Sequence, residues 1–435
     1  MASSRLDPEG LWCIHGKRYD LRKNNFLEKH PGGREHLERC RGRDVTEMFE
    51  SYHAIVGTPG KAMMDPMLAE RQDSVPTSLF AWDKPALYDD VKQRARQYFR
   101  SKAPGVVRGD EHKMPRAAAL LNAFFITSFF GAACGWYVGS CGAGAVAAML
   151  YWLGPSGLMH SGSHSAISRN NTVNYAATLL GSFHTAPLHW YVQHVIGHHS
   201  HTNMHGYDPD LEHFRHNTPG YRLHQRQPQS PRHIHWRAGM ALQSVATTVG
   251  PALLNQVRYL WSSTFECMPV LNHNGVPWHV LNRVLVVMLT VLYPFMAFDL
   301  YTAAALIIVP YGVHGFMFYL FSQVSHLQAR LFYTSKRDCW ATHQALSSCD
   351  YRVDSRLWNV LSLGLNTQIV HHLLPTVDPW HYPALSRIIH KTLKEHGVVP
   401  LVFETYAQAA RGHVEYVSSL NNGDATIPGF CCHRK

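Results

Sequence analysis

From Ala117 to Ser168 the chain carries no Asp, Glu, Lys or Arg. A helix that crosses the hydrocarbon layer of a bilayer needs about 20 apolar residues. The run is therefore long enough for a hairpin of two such helices, with its turn near Gly139–Gly142. A second run, Val284 to Ala329, contains Asp299 as its one charged residue and reads as another hairpin with Asp299 near the turn. The pattern predicts four spans. The mean hydropathy of −0.18 looks soluble because it averages polar ends with apolar middles.

The formal charge of +10 does not point to nucleic acid, since the basic residues are spread through the polar segments. They have a sidedness instead. The two hairpin turns lack Lys and Arg, whereas the segment between the hairpins holds Arg169, Arg215, Arg222, Arg226, Arg232, Arg237 and Arg258. Positive loops stay cytoplasmic, which puts both termini and the central segment on that side. Nine scattered cysteines give no disulfide framework. The polar N-terminus reads as having no cleavable signal peptide.

Histidine is concentrated at the edges of the apolar runs. His160 and His164 stand four apart in HSGSH, and His194, His198 and His199 form H-x3-H-H in QHVIGHHSHTN, followed by YDPD. His371 and His372 are adjacent in QIVHH. Residues four apart share a helix face, while adjacent ones diverge by about 100°. A neighbouring pair can thus reach two different ions, and imidazole suits iron, copper, zinc and nickel. Three such clusters predict a metal centre with two metals; a polar, histidine-rich loop that binds nothing is the plainer alternative for the second cluster alone. His326 lies at the cytoplasmic end of the last apolar run, where an ionisable group suggests function. His314, near mid-membrane, is expected to be buried and hydrogen-bonded. His184, His189, His201, His205, His213 and His216 are assigned supporting or surface roles. Ala238–Leu260 is apolar enough to cross, but crossing would put the third cluster on the opposite side from the first two. It is read as an interfacial or re-entrant helix broken at Gly250-Pro251.

Residues 7–75 have their own signature. Trp12, Ile14, Gly16, Tyr19 and Asp20 read as strand and turn; Phe26 precedes His30-Pro31-Gly32-Gly33; Gly42, Asp44, Thr46 and Phe49 lead to His53. The proline and glycines force a tight turn and allow close approach to a flat ligand. This block resembles cytochrome b5. The resemblance implies a small α+β haem domain with His30 and His53 as axial ligands of haem b. Residues 76–116 form a linker and amphipathic segment; from Thr58 to Pro85 four prolines, Pro59, Pro66, Pro76 and Pro85, argue against one continuous helix. Within it, Leu87–Tyr98 is predicted as an amphipathic helix on the membrane surface, and Lys102–Arg116 as a basic loop. Residues 117–390 make the membrane domain. Residues 391–435 make a cytoplasmic tail, a soluble helical cap whose Cys431-Cys432 fits no prenylation box.

The whole layout resembles the front-end fatty acid desaturases: a cytochrome b5 block, four spans and three histidine boxes, the third opening with Gln. Trp340-x-x-His343-Gln344, Trp358 and GLNTQIVHHLLP add to the likeness. The resemblance implies a mainly α protein, a four-span polytopic domain with a cytoplasmic di-metal cap, in the endoplasmic reticulum membrane. It implies two non-haem irons, O2 as co-substrate, and a cis double bond placed between an existing one and the carboxyl end of a fatty acyl chain. His160 and His164 would be ligands from the first box, His194, His198 and His199 from the second, and Gln368, His371 and His372 from the third, with His326 as the isolated extra histidine. Two positions depart from the family: Ser161 stands where Asp usually follows the first histidine, and Val370 stands where Glu usually precedes the last pair. Neither removes a ligand. An unactivated C–H bond demands an oxidant made from O2, and the two electrons needed would pass singly through the haem domain from a separate NADH-cytochrome b5 reductase. A lipid hydroxylase and a sphingolipid long-chain-base desaturase share this chemistry, although Gln368 favours desaturation over hydroxylation. A non-enzymatic membrane haem carrier with a degenerate core is the alternative from another class.

Overall fold

The computed structural model describes residues 7–69, 78–82, 86–102, 109–183, 185–211, 220–224, 227, 234–250, 276–331 and 339–422. The chain is mainly helical. Its N-terminal part pairs two short antiparallel strands, β1 (Trp12–Ile14) and β2 (Lys17–Tyr19), with helices α1 (Phe26–Lys29), α2 (Arg34–Arg39) and α3 (Thr46–Tyr52). The His-Pro-Gly-Gly turn separates α1 from α2. A Cβ on Gly32 would lie 2.7 Å from Cε1 of His30, so the turn can close over the imidazole only with glycine there.

Three helices among the described residues are long and apolar enough to cross a membrane: Arg116–Tyr137, Val280–Ala297 and Leu300–Gln323. The other limb of the first hairpin is helical but comes in pieces, Cys141–Tyr151, a π turn at Trp152–Ser156 containing Pro155, and Gly157–Ser163. Proline lacks the N–H that a regular helix needs, and π turns recur beside functional sites. The turn falls where expected: Gly139 adopts φ +98° and the Ser140 hydroxyl accepts from Ala143 N–H to start the next helix. The hairpin closes tightly because Gly144 leaves room for Trp136 and Pro310. Trp136 in turn donates its indole N–H to Leu306 O at 2.8 Å, tying the first hairpin to the second. Asp299, the lone charge of the second run, caps Leu300–Gln323 by accepting from Tyr301 and Thr302 N–H. His314 is buried with Nε2 2.9 Å from Ser156 Oγ, as expected.

The polar half is built around one large apolar core. Helix α4 (Ala86–Lys102) contributes Leu87, Tyr88, Val91 and Phe99; α5 (Trp340–Leu346) contributes Trp340; α6 (Gln368–Leu373) and α7 (Tyr382–Glu395) complete it. The amphipathic helix predicted near Leu87–Tyr98 is therefore present, but its apolar stripe is covered by protein rather than lipid. The reason is that Tyr88 and Val91 find partners in Trp340 and Leu393. Strands β3 (Cys349–Tyr351) and β4 (Leu401–Phe403) run parallel, and the final helix Tyr406–Asn421 lays Tyr416, Val417 and Leu420 against Tyr221, Leu223 and Leu327. That is the helical cap expected of the tail. Trp236–Gly250 is helical. The rest of the Ala238–Leu260 segment, its break at Pro251, and His184, His213, His216 and Cys431-Cys432 lie outside the described residues.

Candidate metal centre

The three boxes come from separate elements that end at one place. The first terminates the helix Gly157–Ser163, with His164 as its cap. The second lies on a π-helical turn, Tyr191–His198, that runs into His199. The third occupies Gln368–Leu373, started where Ile369 N–H bonds Asp350 Oδ1 at 2.9 Å. His326 follows directly on the long helix Leu300–Gln323.

Ring nitrogens of His160, His164, His194 and His371 lie within 4.8 Å of one another, and so do those of His198, His326 and His372. All seven side chains are buried. His199 sits between the groups: its ring centroid is 4.4 Å from that of His164 and 4.4 Å from that of His372. Gln368 Nε2 lies 2.8 Å from His326 Nε2 and 3.1 Å from His372 Nε2; a half-turn of the amide brings Oε1 to the same spot. The structure thus brings together every histidine expected at the metal site. His189, His201 and His205 belong to neither group. His201 stacks on Phe80 at 6.4 Å and His205 on His224 at 5.5 Å.

Whether these residues suit metal ions is decided by what the other nitrogens do. His164 Nδ1 is 2.9 Å from the Tyr52 hydroxyl, His371 Nδ1 3.1 Å from the Tyr382 hydroxyl, and His372 Nδ1 2.9 Å from Thr202 Oγ1. His194 Nδ1 is 3.1 Å from Asp210, and His198 Nδ1 is 3.0 and 3.1 Å from the two oxygens of Asp208. Holding Nδ1 fixes the tautomer and leaves Nε2 for a metal. Nε2 of His164 and of His371, and both ring nitrogens of His199, are buried with no protein hydrogen-bond partner. Such groups are costly to leave unpaired, and a pair of cations would satisfy them together. Burial, then the neighbouring imidazoles, push His194 and His199 well below the usual histidine range, which favours neutral rings able to bind a metal. Burial opposes charge on His198 too, but Asp208 and Asp210 outweigh it and hold its pKa at about 9.

Asp208 and Asp210, in the YDPD that follows the second box, hold Nδ1 of His198 and His194, contacts that motif reading passed over. Tyr52, Tyr382 and Thr202 carried no sequence signal at all. Val370 is a core residue packed with Ile369 and Leu373, which explains an apolar side chain before the last pair.

In the N-terminal part the rings of His30 and His53 stand 6.2 Å apart at 75°. Two metal–nitrogen bonds of about 2 Å each, with the ring radii added, span roughly that gap. His53 Nδ1–H donates to Phe49 O at 2.7 Å, leaving Nε2 for a metal. Burial, then His53, lowers His30 to about 4. The rings open on a cavity of about 560 Å³ lined by Phe26, Leu37, Val45 and Phe49, apolar walls suited to a flat macrocycle. Another cavity starts at His160, His194, His198 and His326 and continues along Trp152, Phe318 and Leu365 into the membrane helices. Its lining combines imidazoles with apolar side chains, a mixture that suits an acyl chain beside a metal site.

A histidine pair facing an apolar cavity and a buried histidine cluster, in a chain with helices long enough to cross a membrane, are the ligand sets of a haem-coupled membrane oxidoreductase. The fatty acid desaturase family profile matches residues 135–402, and the cytochrome b5-like haem/steroid binding domain profile matches residues 2–71. The chain belongs to the fatty acid desaturase family, fused to a cytochrome b5 domain. Among curated proteins it is similar to the acyl-lipid omega-13 desaturase of Chlamydomonas reinhardtii, 26% identical over 94% of this chain and 93% of that one. The probable Delta(5) fatty acid desaturase C of Dictyostelium discoideum is 27% identical over 95% and 93%. The acyl-lipid (8-3)-desaturase of Mortierella alpina is 27% identical over 94% and 93%.

Proposed function

We propose that the chain is a front-end acyl desaturase that inserts a cis double bond on the carboxyl side of an existing one in a polyunsaturated fatty acyl chain. The observation that carries this is the meeting of two histidine groups beside a cavity that Trp152, Phe318 and Leu365 also line. The relatives' names, acyl-lipid and Delta(5) desaturases, support the substrate class.

In this reading His160, His164, His194 and His371 hold one iron. His198, His326, His372 and Gln368 hold the other, and His199 completes the pair between them. When bound, the irons would activate O2: with two electrons from the haem domain and two protons from water, two hydrogens would leave adjacent methylenes and O2 would become two waters. Asp208, Asp210, Tyr382 and Thr202 keep the imidazoles aimed, and Trp152, Phe318 and Leu365 hold the acyl chain in a water-poor slot. His30 and His53 ligate haem b, recharged by an NADH-cytochrome b5 reductase.

The boundaries are 7–75 for the haem domain, 76–116 for the linker, 117–390 for the desaturase domain and 391–435 for the tail. The pieced helix from Cys141 to Ser163 serves as the fourth crossing. With four crossings, the arginine-rich central segment argues for both termini and the metal site on the cytoplasmic side, in the endoplasmic reticulum membrane.

The test is expression in a host fed polyunsaturated acids and sphingoid bases, with products read by gas chromatography–mass spectrometry. A new cis bond between an existing one and the carboxyl end is expected. Hydroxylated lipid, a desaturated sphingoid base instead, or no product contradicts the reading.

A further inference from the structure

The haem domain does not hang from a loose tether. Trp12, Tyr19, Leu27 and Cys40 share one apolar core with Leu188, Tyr191, Val192 and Ile196, residues on and just before the turn that carries the second box. Polar contacts ring that core. His36 pairs with the Tyr191 hydroxyl and reaches Ser165 Oγ at 3.4 Å; Asn171 donates to Pro31 O; Lys92 pairs with Glu50 at 3.0 Å; Arg96 donates to Ala54 O at 2.8 Å. Tyr52, packed against the same core and immediately before His53, extends its hydroxyl to 2.9 Å from His164 Nδ1.

We propose that Tyr52 is a positioning residue supplied by the haem domain to the metal centre, so that the centre is complete only when the haem domain is docked. This deepens the proposed function and rests on its assignment of His164 as a ligand. A metal-bound imidazole hands its second N–H to an outer partner that fixes its tautomer and tilt. For His194 and His198 that partner is a carboxylate of the desaturase part itself, and for His371 it is the Tyr382 hydroxyl. For His164 it is Tyr52, more than a hundred residues away in sequence and in the other domain. His164 Nδ1–H donates to the Tyr52 oxygen, and Nε2, which has no protein partner, faces the other rings of its group. Coupling of this kind is reciprocal: docking tightens metal binding, and metal binding tightens docking.

The experiment uses the full-length, haem-loaded protein in lipid nanodiscs, with cobalt(II) as the probe metal read by its visible ligand-field bands. Tyr52→Phe removes only the hydroxyl. Loss of an outer partner typically weakens metal affinity about 10–100-fold. That loss is expected for one of two bound ions, with the Soret band and the second ion's affinity unchanged. Tyr382→Phe, acting on His371 in the same group, sets the comparison within the desaturase part. Independently, cobalt is expected to slow amide hydrogen exchange over Thr46–His53 in the native chain, and not in Tyr52→Phe. A variant that binds both ions as tightly as the native chain, or native exchange over Thr46–His53 indifferent to cobalt, overturns the inference alone. A native chain that takes up fewer than two ions overturns the proposed function, and the inference falls with it.

Discussion

Asp208 turns both carboxylate oxygens on one nitrogen of His198, at 3.0 and 3.1 Å, and both side chains are buried. One Asp208 oxygen also accepts from Asn203 N–H at 2.7 Å, which keeps the carboxylate from turning away. A buried carboxylate so placed makes His198 a stronger electron donor and fixes which nitrogen faces the metal. Asp208→Asn keeps the shape and removes the charge. Its metal affinity is expected to fall about 10–100-fold, measured by cobalt titration, with haem content unaltered. Unchanged affinity would show that the carboxylate has no part in the centre.

Gly32 packs its Cα against the His30 ring, and a methyl group there would meet Cε1 at 2.7 Å. Gly32→Ala therefore has to push the imidazole aside. The low-spin spectrum of a bis-imidazole haem is expected to weaken or vanish in the variant, while non-haem metal binding persists. Optical and electron paramagnetic resonance spectra read this directly.

Leu365 lines the cavity shared by the histidines, Trp152 and Phe318. Leu365→Trp narrows that space without replacing a ligand. Product formation is expected to drop sharply in microsomal assays, with iron and haem content at native levels. Normal turnover would place the acyl chain elsewhere.

Asp378 is buried, and burial pushes its carboxyl up to about 7; its cap to Trp380 N–H and the nearby Lys113 oppose the rise without cancelling it. The folded chain keeps this proton while the unfolded chain loses it from about pH 4 upward. Stability contributed here is thus full below the unfolded value and declines until the folded value of about 7 is passed. Asp378→Asn retains the cap oxygen and cannot ionise. Its melting temperature is expected to fall less than that of the native chain between pH 4 and 7, measured by thermal unfolding in detergent.

Much of this was legible in the sequence because the signals are periodic or local. Charge-free runs mark membrane helices, Asp299 and Gly139 mark their turns, and i, i+4 histidines mark one face of a helix. The haem block was equally plain, since its glycines and histidines lie at fixed short spacings. What stayed hidden depends on the fold bringing distant stretches together. Tyr52 and Tyr382 look like ordinary aromatic residues until His164 and His371 are placed beside them. The amphipathic face around Tyr88 fits lipid or protein equally well; only Trp340 and the third box, hundreds of residues later, decide which covers it. The second limb of the first hairpin is apolar throughout, yet Pro155 breaks its regularity, which composition alone does not register as a π turn.

The measurement that reaches the central claim most directly is the ratio of non-haem iron to haem in the purified full-length protein, with Mössbauer spectra of 57Fe-grown material giving the ligand type. Two nitrogen-ligated non-haem irons for each haem are expected. Protein that carries haem but no stoichiometric non-haem iron would contradict the account, leaving the buried imidazoles without the ions that their arrangement requires.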